Sequence, residues 1–223
     1  MGFCKKLKYF LVHTAMYTNK AAQALIDNGE VTINGQTIKT NCTLDELGEI
    51  KIKNKVVRGD RSFVYLKFYK PVGYQSSLNK SVENNLAPFF MTHSNLAIAG
   101  RLDKQSEGLM LLSNDGKWVE QICNPTFEKE KEYRVTLNKN VTNDFVKSFG
   151  SGVQIGDYFT KPCYCEMLFP RQLKIILKEG KNRQIRKMCK ILGYEVLTLK
   201  RLRIANIELD NLITGEVATI KKF

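Results

Sequence analysis

The side chains most able to do chemistry lie in one segment, residues 100–116, which reads Gly-Arg-Leu-Asp-Lys-Gln-Ser-Glu-Gly-Leu-Met-Leu-Leu-Ser-Asn-Asp-Gly. Gly100 permits a positive φ or a close backbone approach. In the extended stretch after it, Arg101 and Asp103 alternate onto one side, while Leu102 points the other way, toward the core. An aspartate is ionised at neutral pH. Asp103 can therefore act as a nucleophile, a general base or a turn cap.

Three further segments carry charge or aromatic rings in unusual places. Residues 69–74, Tyr-Lys-Pro-Val-Gly-Tyr, end a predicted strand, and a simple turn would explain them. Residues 129–135, Lys-Glu-Lys-Glu-Tyr-Arg-Val, place Tyr133 among charges, as an edge strand also would. Residues 179–188, Glu-Gly-Lys-Asn-Arg-Gln-Ile-Arg-Lys-Met, gather bases at a predicted helix start, where the helix dipole disfavours cations. A solvated basic helix is the alternative, but a nearby anion would explain the placement.

The net charge of the chain is strongly positive and unevenly distributed. Lys and Arg number 35 against 22 Asp and Glu, which gives +13. Residues 171–203 hold eleven bases and two acids, so this window contributes 11 − 2 = +9. A charge run is often a solvated face, but a concentrated basic stripe favours a partner with a phosphate backbone.

Several classes of protein are excluded. No window approaches eighteen consecutive apolar residues, and the N-terminus lacks an apolar signal core. We therefore expect no membrane contact and a cytoplasmic protein. The six cysteines and two histidines have no zinc-binding spacing, although Cys163 and Cys165 share a face of a predicted strand. We expect reduced, mostly buried thiols and no metal site.

The elements that must position these residues divide into two predicted domains. Residues 1–58 contain two short helices, the second capped by Thr18 or Asn19 and ended by Asn28-Gly29, followed by a hairpin through Asn34-Gly35. Residues 59–62 form a polar linker, and residues 63–223 form a larger domain. These helices and the hairpin, with Asp-Asn-Gly-Glu-Val-Thr-Ile-Asn-Gly-Gln as the most specific part, resemble the S4 RNA-binding domain, although the second helix carries Lys20 as its one base.

In the larger domain, strand-like runs outnumber helical ones, and the connections are too short for regular βαβ crossovers. Strands are predicted at 63–70, 96–102, 109–113, 133–137, 173–178 and 196–209, the last interrupted, and helices at 117–123, 143–149 and 183–192. This pattern predicts an α+β fold, with a mixed, mainly antiparallel sheet and flanking helices, beside a small S4-like α/β module at the N-terminus.

The four motifs, in this order along the chain, resemble those of the pseudouridine synthases, specifically the ribosomal RNA branch (RsuA-like) with an N-terminal S4 domain. The resemblance implies that Asp103 is the catalytic aspartate and that Arg101 helps hold the target uridine out of the RNA helix. Tyr133 corresponds to the aromatic residue that stacks on the flipped base. Arg186 corresponds to the arginine that pairs with the aspartate, with Arg183 as the second candidate.

The same resemblance implies an RNA isomerase that needs no cofactor and acts on ribosomal RNA, or in some members transfer RNA. We favour large-subunit RNA as the target and expect a monomer. A uridine inside a helix must be extruded before it can react. The basic side chains in the fourth motif and just after it are expected to contact RNA phosphates: Lys181, Arg183, Lys187 and Lys190.

Two alternative functions remain open at this point. A non-catalytic RNA-binding or ribosome-associated protein with an S4 module would not need an Asp, a Tyr and an Arg in these motifs. A hydrolase of glycosidic bonds would usually need two carboxylates. Glu107 is the one nearby second carboxylate, and a turn-stabilising role suits it better.

Overall fold

The computed structural model describes residues 6–13, 15–44, 48–58, 63–93 and 95–222. It divides between Phe63 and Val64 into two compact units. The predicted linker at 59–62 lies outside the described residues, and Arg58 is the last residue of a strand. The boundary of the predicted domains at 58 and 63 therefore stays a proposal.

The first unit contains α1 (Leu7–His13) and α2 (Asn19–Asp27). Thr18 caps α2, because its hydroxyl accepts a hydrogen bond from the backbone N–H of Ala21 at 3.2 Å. Leu7, Leu11 and Ile26 are buried between the helices and the sheet of this unit. The predicted helices and the predicted cap are thus present.

Four short strands complete the first unit. They are β1 (Val31–Ile33), β2 (Gln36–Ile38), β3 (Ile50–Ile52) and β4 (Lys55–Arg58), in the sheet order β2-β1-β3-β4. Asn34 and Gly35 both have positive φ, at 51° and 78°, as the tight turn of the predicted hairpin requires. The strands β3 and β4 were not predicted, because their short runs alternate lysine with aliphatic residues and lack a strong turn signal.

The second unit contains a larger set of elements. Its strands are β5 (Tyr65–Lys70), β6 (Ala97–Ala99), β7 (Glu107–Ser113), β8 (Lys131–Leu137), β9 (Gln154–Ile155), β10 (Tyr158–Phe159), β11 (Tyr164–Phe169), β12 (Gln172–Leu177), β13 (Val196–Ile204), β14 (Ile207–Glu208) and β15 (Val217–Thr219). Its helices are α3 (Gly116–Cys123), α4 (Asn143–Ser151) and α5 (Gln184–Ile191), with 3-10 turns at Ala87–Phe90 and Pro125–Phe127.

Nine of the described strands form one sheet, whose main path is β11-β12-β8-β13-β7-β5-β15. All its pairings are antiparallel except that of β13 with β7, which is parallel through Lys200–Glu107 and Arg201–Gly108. The predicted α+β class with a mixed, mainly antiparallel sheet is confirmed. Every predicted strand and helix of this unit is present within a few residues, whereas β9, β10, β11 and β15 were missed because they are short or carry exposed apolar residues.

The helices α4 and α5 pack on one face of this sheet. Phe145 and Phe149 of α4 and Met188 of α5 are buried in one cluster with Tyr133 and Val135 of β8. The alternation of β8 makes this possible, since every second side chain points to the helices. The core therefore fixes α5 against the strand that carries Tyr133.

The cysteines follow the prediction only in part. Among the described residues all are free thiols, and Cys189 is buried. Cys163 and Cys165 are half-buried against the same core, as their shared face predicts. Cys123 is exposed, so the expectation of mostly buried thiols was wrong there: Cys123 is the last residue of α3, where the helix ends at the surface.

No helix in the described part of the chain has the length and the apolar character needed to cross a membrane.

The sheet of the second unit has no room for a side chain at Gly108. This glycine has φ of +108°, and an added Cβ would lie 2.2 Å from the carbonyl oxygen of Arg201 and 2.6 Å from its nitrogen. We expect Gly108→Ala to lower the free energy of unfolding of the second unit by about 2–4 kcal/mol, through strain and a backbone collision. Urea unfolding followed by fluorescence of Trp118, the one tryptophan of the chain, measures it.

Gly116→Ala is the matched control for this substitution. Gly116 begins α3, and no atom lies within 4 Å of its added Cβ. Alanine favours a helix over glycine, so no loss of stability is expected there. Equal urea midpoints for Gly108→Ala and Gly116→Ala would contradict the close approach of the β13 backbone to Gly108.

Candidate active site

Asp103 lies in the turn between β6 and β7 and is half-buried. Gly100 begins the turn with φ of +93°. Ser76 holds the backbone of Leu102 from both sides: its hydroxyl donates to the Leu102 carbonyl at 2.6 Å and accepts from the Leu102 N–H at 3.0 Å. The N–H of Ser106 then donates to the Asp103 carbonyl at 3.0 Å and closes the turn. The Asp103 backbone is thus fixed on both flanks.

The end of β5 packs against the same turn. Lys70 has no exposed surface, and its ammonium donates to the carbonyls of Pro71 at 2.8 Å and Ser106 at 2.7 Å. The N–H of Gly73 donates to the Lys104 carbonyl at 2.8 Å. The Tyr-Lys-Pro-Val-Gly-Tyr motif, a weak signal on its own, is therefore a structural partner of the Asp103 turn.

Arg201 of β13 is hydrogen-bonded to the backbone of the Asp103 turn. Its side chain is only 1% exposed, and its guanidinium donates to three backbone carbonyls. The acceptors are the oxygens of Gly100 at 2.7 Å, Arg101 at 3.3 Å and Leu109 at 2.7 Å. A planar guanidinium holds its donors in fixed directions, which suits it to bridging three carbonyls at once.

The start of α5 reaches the Asp103 turn from the helical side. Arg186 donates to the carbonyls of Val196 at 3.1 Å and Gln105 at 2.9 Å, and to the hydroxyl of Ser106 at 3.3 Å. Arg183, the N-cap residue of α5 with φ of 52°, donates to the side-chain oxygen of Gln105 at 3.2 Å. The turn and the basic helix are thus in direct contact, as a common site requires.

The predicted direct ion pair between Asp103 and Arg186 is not formed. None of the ion pairs within 4.0 Å among the described residues includes Asp103. The guanidinium is instead bonded to the neighbouring carbonyls of the turn, and its Nε is buried without a hydrogen-bond partner in the described part of the chain. Arg186 therefore keeps one buried donor without a hydrogen bond to any described residue.

Asp103 nevertheless interacts electrostatically with two cations. Burial lowers the pKa of the Arg186 guanidinium, and Arg183 lowers it further, while the Asp103 carboxylate opposes both. Burial lowers the pKa of the Lys70 ammonium to about 8, again opposed by Asp103. Asp103 thus lies within electrostatic reach of two cations whose hydrogen bonds go to uncharged oxygens.

The remaining predicted residues lie around this centre. Tyr133 of β8 is 7% exposed and belongs to the same apolar cluster as Leu102. Arg101 is exposed beside the turn. The bases predicted to contact phosphate are exposed at the start and along the outer side of α5: Lys181, Arg183, Lys187 and Lys190.

The basic window at 171–203 is less uniform than the sequence predicts. Arg201 is buried, and Arg203 forms ion pairs with Glu130 at 3.1 Å and Glu132 at 3.3 Å. These partners lie about 70 residues away, on β8 and just before it, so counting charges in the window alone cannot show them. At least two of the eleven bases in this window are therefore engaged within the protein, whereas the four predicted phosphate contacts are exposed.

Three residues that hold the Asp103 turn in place were not predicted as site residues from the sequence: Lys70, Ser76 and Arg201. A buried lysine and a buried arginine are indistinguishable in sequence from exposed ones. Ser76 follows the Tyr-Lys-Pro-Val-Gly-Tyr motif by two residues, and that spacing was the one available signal. In the part of the chain that the structure describes, no group of three His, Cys, Asp or Glu side chains could hold a metal ion.

The chain is similar to known proteins of one family. Residues 64–190 match the family described as RNA pseudouridylate synthase. A dual-specificity RNA pseudouridine synthase RluF of Salmonella typhi is 33% identical over 95% of this chain and 74% of its own length. A crystal structure of a pseudouridylate synthase covers 97% of this chain and 96% of its own, with a TM-score of 0.69 and 28% identity.

Two further relatives carry ribosomal names. The ribosomal small subunit pseudouridine synthase A of Pasteurella multocida is 31% identical over 96% of this chain and 95% of its own length. The ribosomal large subunit pseudouridine synthase B of Bacillus subtilis is 28% identical over 95% and 90%. The chain belongs to the RNA pseudouridylate synthase family and is an isomerase that acts on RNA. The family match begins after the first unit, so its S4 assignment stays a prediction.

Lys70 makes the stability of the second unit depend on pH in a defined direction. Its folded pKa is about 8, whereas an unfolded lysine has about 10.4. Between these values the unfolded state binds more protons, so stability rises with pH. We expect the stability of the wild type relative to Lys70→Met to increase from about pH 8 to about pH 10.5.

Urea unfolding followed by Trp118 fluorescence at a series of pH values checks this trend. Lys117→Met is the control, because Lys117 is exposed on α3 and its ammonium stays in water. A difference between wild type and Lys70→Met that does not change with pH would show that Lys70 is not desolvated.

Proposed function

We propose that this chain isomerises specific uridines in structured ribosomal RNA to pseudouridine, with Asp103 as the reacting carboxylate. The observation that carries the proposal is the position of Asp103: half-buried, on a turn braced by hydrogen bonds, and influenced by the charges of Lys70 and Arg186. Membership of the RNA pseudouridylate synthase family supplies the reaction class.

The isomerisation of uridine requires one reacting group from the protein, a carboxylate. The bond between C1′ and N1 breaks, the base turns over, and C5 bonds to C1′. C5 then gives up its proton to the solvent and N1 takes one up, so the product is an isomer of uridine. Nothing is oxidised or reduced, and no cofactor is needed. Asp103 either attacks C1′ or removes a sugar proton, and both roles suit an ionised carboxylate in a fixed position.

The target base must leave its helix to reach Asp103, which costs a few kcal/mol of unstacking. We assign Tyr133 to the stacking contact with the extruded base, worth roughly 1–3 kcal/mol. Its ring is 7% exposed, so the base would meet the part of the ring that is left uncovered. Arg101 is exposed beside the turn, and its side chain would help to hold the extruded uridine out of the RNA helix.

Arg186 would act on Asp103 in two ways. Its Nη2 donates to the carbonyl of Gln105 and the hydroxyl of Ser106, which positions the turn. Its buried and unused Nε gives it a donor for the carboxylate once RNA excludes water. The exposed bases Lys181, Arg183, Lys187 and Lys190 would bind RNA phosphates.

The choice of target RNA is the finer part of the proposal. We favour large-subunit ribosomal RNA and expect a monomer. Relatives named for the small and the large subunit have similar identity to this chain, 31% and 28%. Mapping pseudouridines on total RNA from cells that lack this gene, against cells that have it, identifies the target directly. Loss of a site in transfer RNA alone would overturn the ribosomal assignment.

Replacing Asp103 by Asn keeps the shape of the side chain and removes its charge. We expect the release of tritium from RNA labelled at C5 of uridine to fall by roughly 10²–10⁴-fold or to background, with RNA binding retained. Asp144→Asn, an exposed carboxylate in the first turn of α4, is the matched control and should keep full turnover. Turnover of Asp103→Asn within tenfold of wild type would exclude Asp103.

Arg186 and Lys187 are adjacent on α5 and should behave in opposite ways. Arg186→Met should lower the single-turnover rate at saturating RNA at least roughly tenfold, which corresponds to about 1.4 kcal/mol, and leave the salt dependence of binding unchanged. Lys187→Met should reduce the log–log salt slope by about one and keep the saturated rate. If Arg186→Met lowers the slope and keeps the rate, Arg186 is a phosphate contact and Arg183 becomes the partner of Asp103.

A further inference from the structure

The sheet of the second unit has a second face with a distinct composition. On the helical face, Tyr133, Val135 and Ile175 are buried. The residues that alternate with them point to the other side of β11, β12, β8 and β13, which we call the open face. On it, Arg134 is exposed and Lys174 and Lys200 are half-buried. The open face therefore lies across the sheet from Tyr133 and α5.

Three cations stand side by side on the open face. Arg134 of β8 is the register partner of Lys174 in β12 and of Lys200 in β13. Adjacent strands are about 4.8 Å apart, and like charges directly opposite each other destabilise a sheet. A carboxylate compensates one end of this row: Glu166 of β11 is the register partner of Lys174.

Neighbouring groups neutralise the outer two cations better than the middle one. Lys174 lies 3.6 Å from Glu132, and the ammonium of Lys200 lies 4.5 Å from the ring centre of Tyr69. Arg134 takes part in none of the ion pairs among the described residues. The positive charge is therefore greatest in the middle of the row.

Two aromatic rings lie on the same face. Tyr164 is the register partner of Ile176, and Phe169 that of Gln172, so both point to the side of Lys174. Their side chains are 51% and 66% exposed, which is high for large apolar residues. The ring of Tyr164 lies 6.0 Å from the ammonium of Lys174, and its hydroxyl donates to Glu166 at 2.8 Å. Exposed rings near cations are a composition with which proteins bind single-stranded nucleic acid, since rings stack on bases and cations contact phosphates.

We propose that the open face is a second RNA-binding surface, which holds a single-stranded segment of the substrate RNA away from the target uridine. Arg134, Lys174 and Lys200 contact its phosphates, and Tyr164 and Phe169 stack on its bases. The proposal rests on RNA being the substrate but not on the role of Asp103. The positive charge of this face favours RNA over a second copy of the protein. A second copy also has a net charge of +13, so it would be repelled by the row of cations.

The test uses an oligoadenylate of about 30 nucleotides, which has no uridine and so cannot react at Asp103. With Arg134→Gln and Lys174→Gln combined, we expect weaker binding and a log–log salt slope reduced by about 0.7 for each lost contact. The control combines Lys80→Gln and Lys147→Gln, two exposed lysines away from this face, which change the net charge equally. Equal slopes for the two double variants would overturn the proposal, because net charge alone would then explain binding.

A second measurement tests the rings. Tyr164→Ser with Phe169→Ser should weaken oligoadenylate binding roughly five- to hundredfold for each lost stacking contact, with the salt slope unchanged. Ultraviolet crosslinking to oligoadenylate should label peptides of β11. Urea unfolding with Trp118 fluorescence verifies that each variant is folded. Unchanged affinity without crosslinks in β11, or a change in sedimentation instead of RNA binding, would overturn the proposal and identify a protein-contact face.

Discussion

The buried guanidinium of Arg201 is the interaction on which the rest of the second unit depends. It joins β13 to the carbonyls at both ends of the Asp103 turn, Gly100 and Leu109 among them, while its own backbone pairs in parallel with Gly108. A buried charge is costly unless its donors are satisfied, and here three carbonyls accept from it. The close approach of the two strands leaves no room for a Cβ at Gly108.

The buried cations around the turn share one feature: carbonyl oxygens, and not carboxylates, accept their hydrogen bonds. This holds for Lys70 and for Arg201, and Arg186 adds the hydroxyl of Ser106. A cation that is bonded to neutral groups keeps its net charge, so its field still acts on a nearby carboxylate. Asp103 takes part in no ion pair within 4.0 Å among the described residues, which leaves its oxygens available for a substrate.

The alternation of the strands gives the two faces of the sheet different environments. On one face, the apolar residues of β8 and β12 hold α4 and α5 and bring the start of α5 to the Asp103 turn. On the other, Arg134 and its neighbours stay at the surface. A one-residue change of register would exchange the two sets. The pairing of β8 with β13 therefore determines both the site and the surface opposite to it.

The sequence by itself determined the α+β class, most of the helices and strands, and the segment that contains Asp103, because periodicity, turn residues and ordered motifs are local signals. It missed β9 and β10, which are two residues each and pair with one another, and β15, whose partner β5 is about 150 residues away in the chain. Only the tertiary structure decided which bases are buried: Arg201 counted toward the basic window, yet lies beneath the turn, and Arg186 bonds to carbonyls instead of to Asp103. The physical reason is that burial and hydrogen-bond partners depend on residues about a hundred positions apart, as in the bond from Arg201 to Gly100.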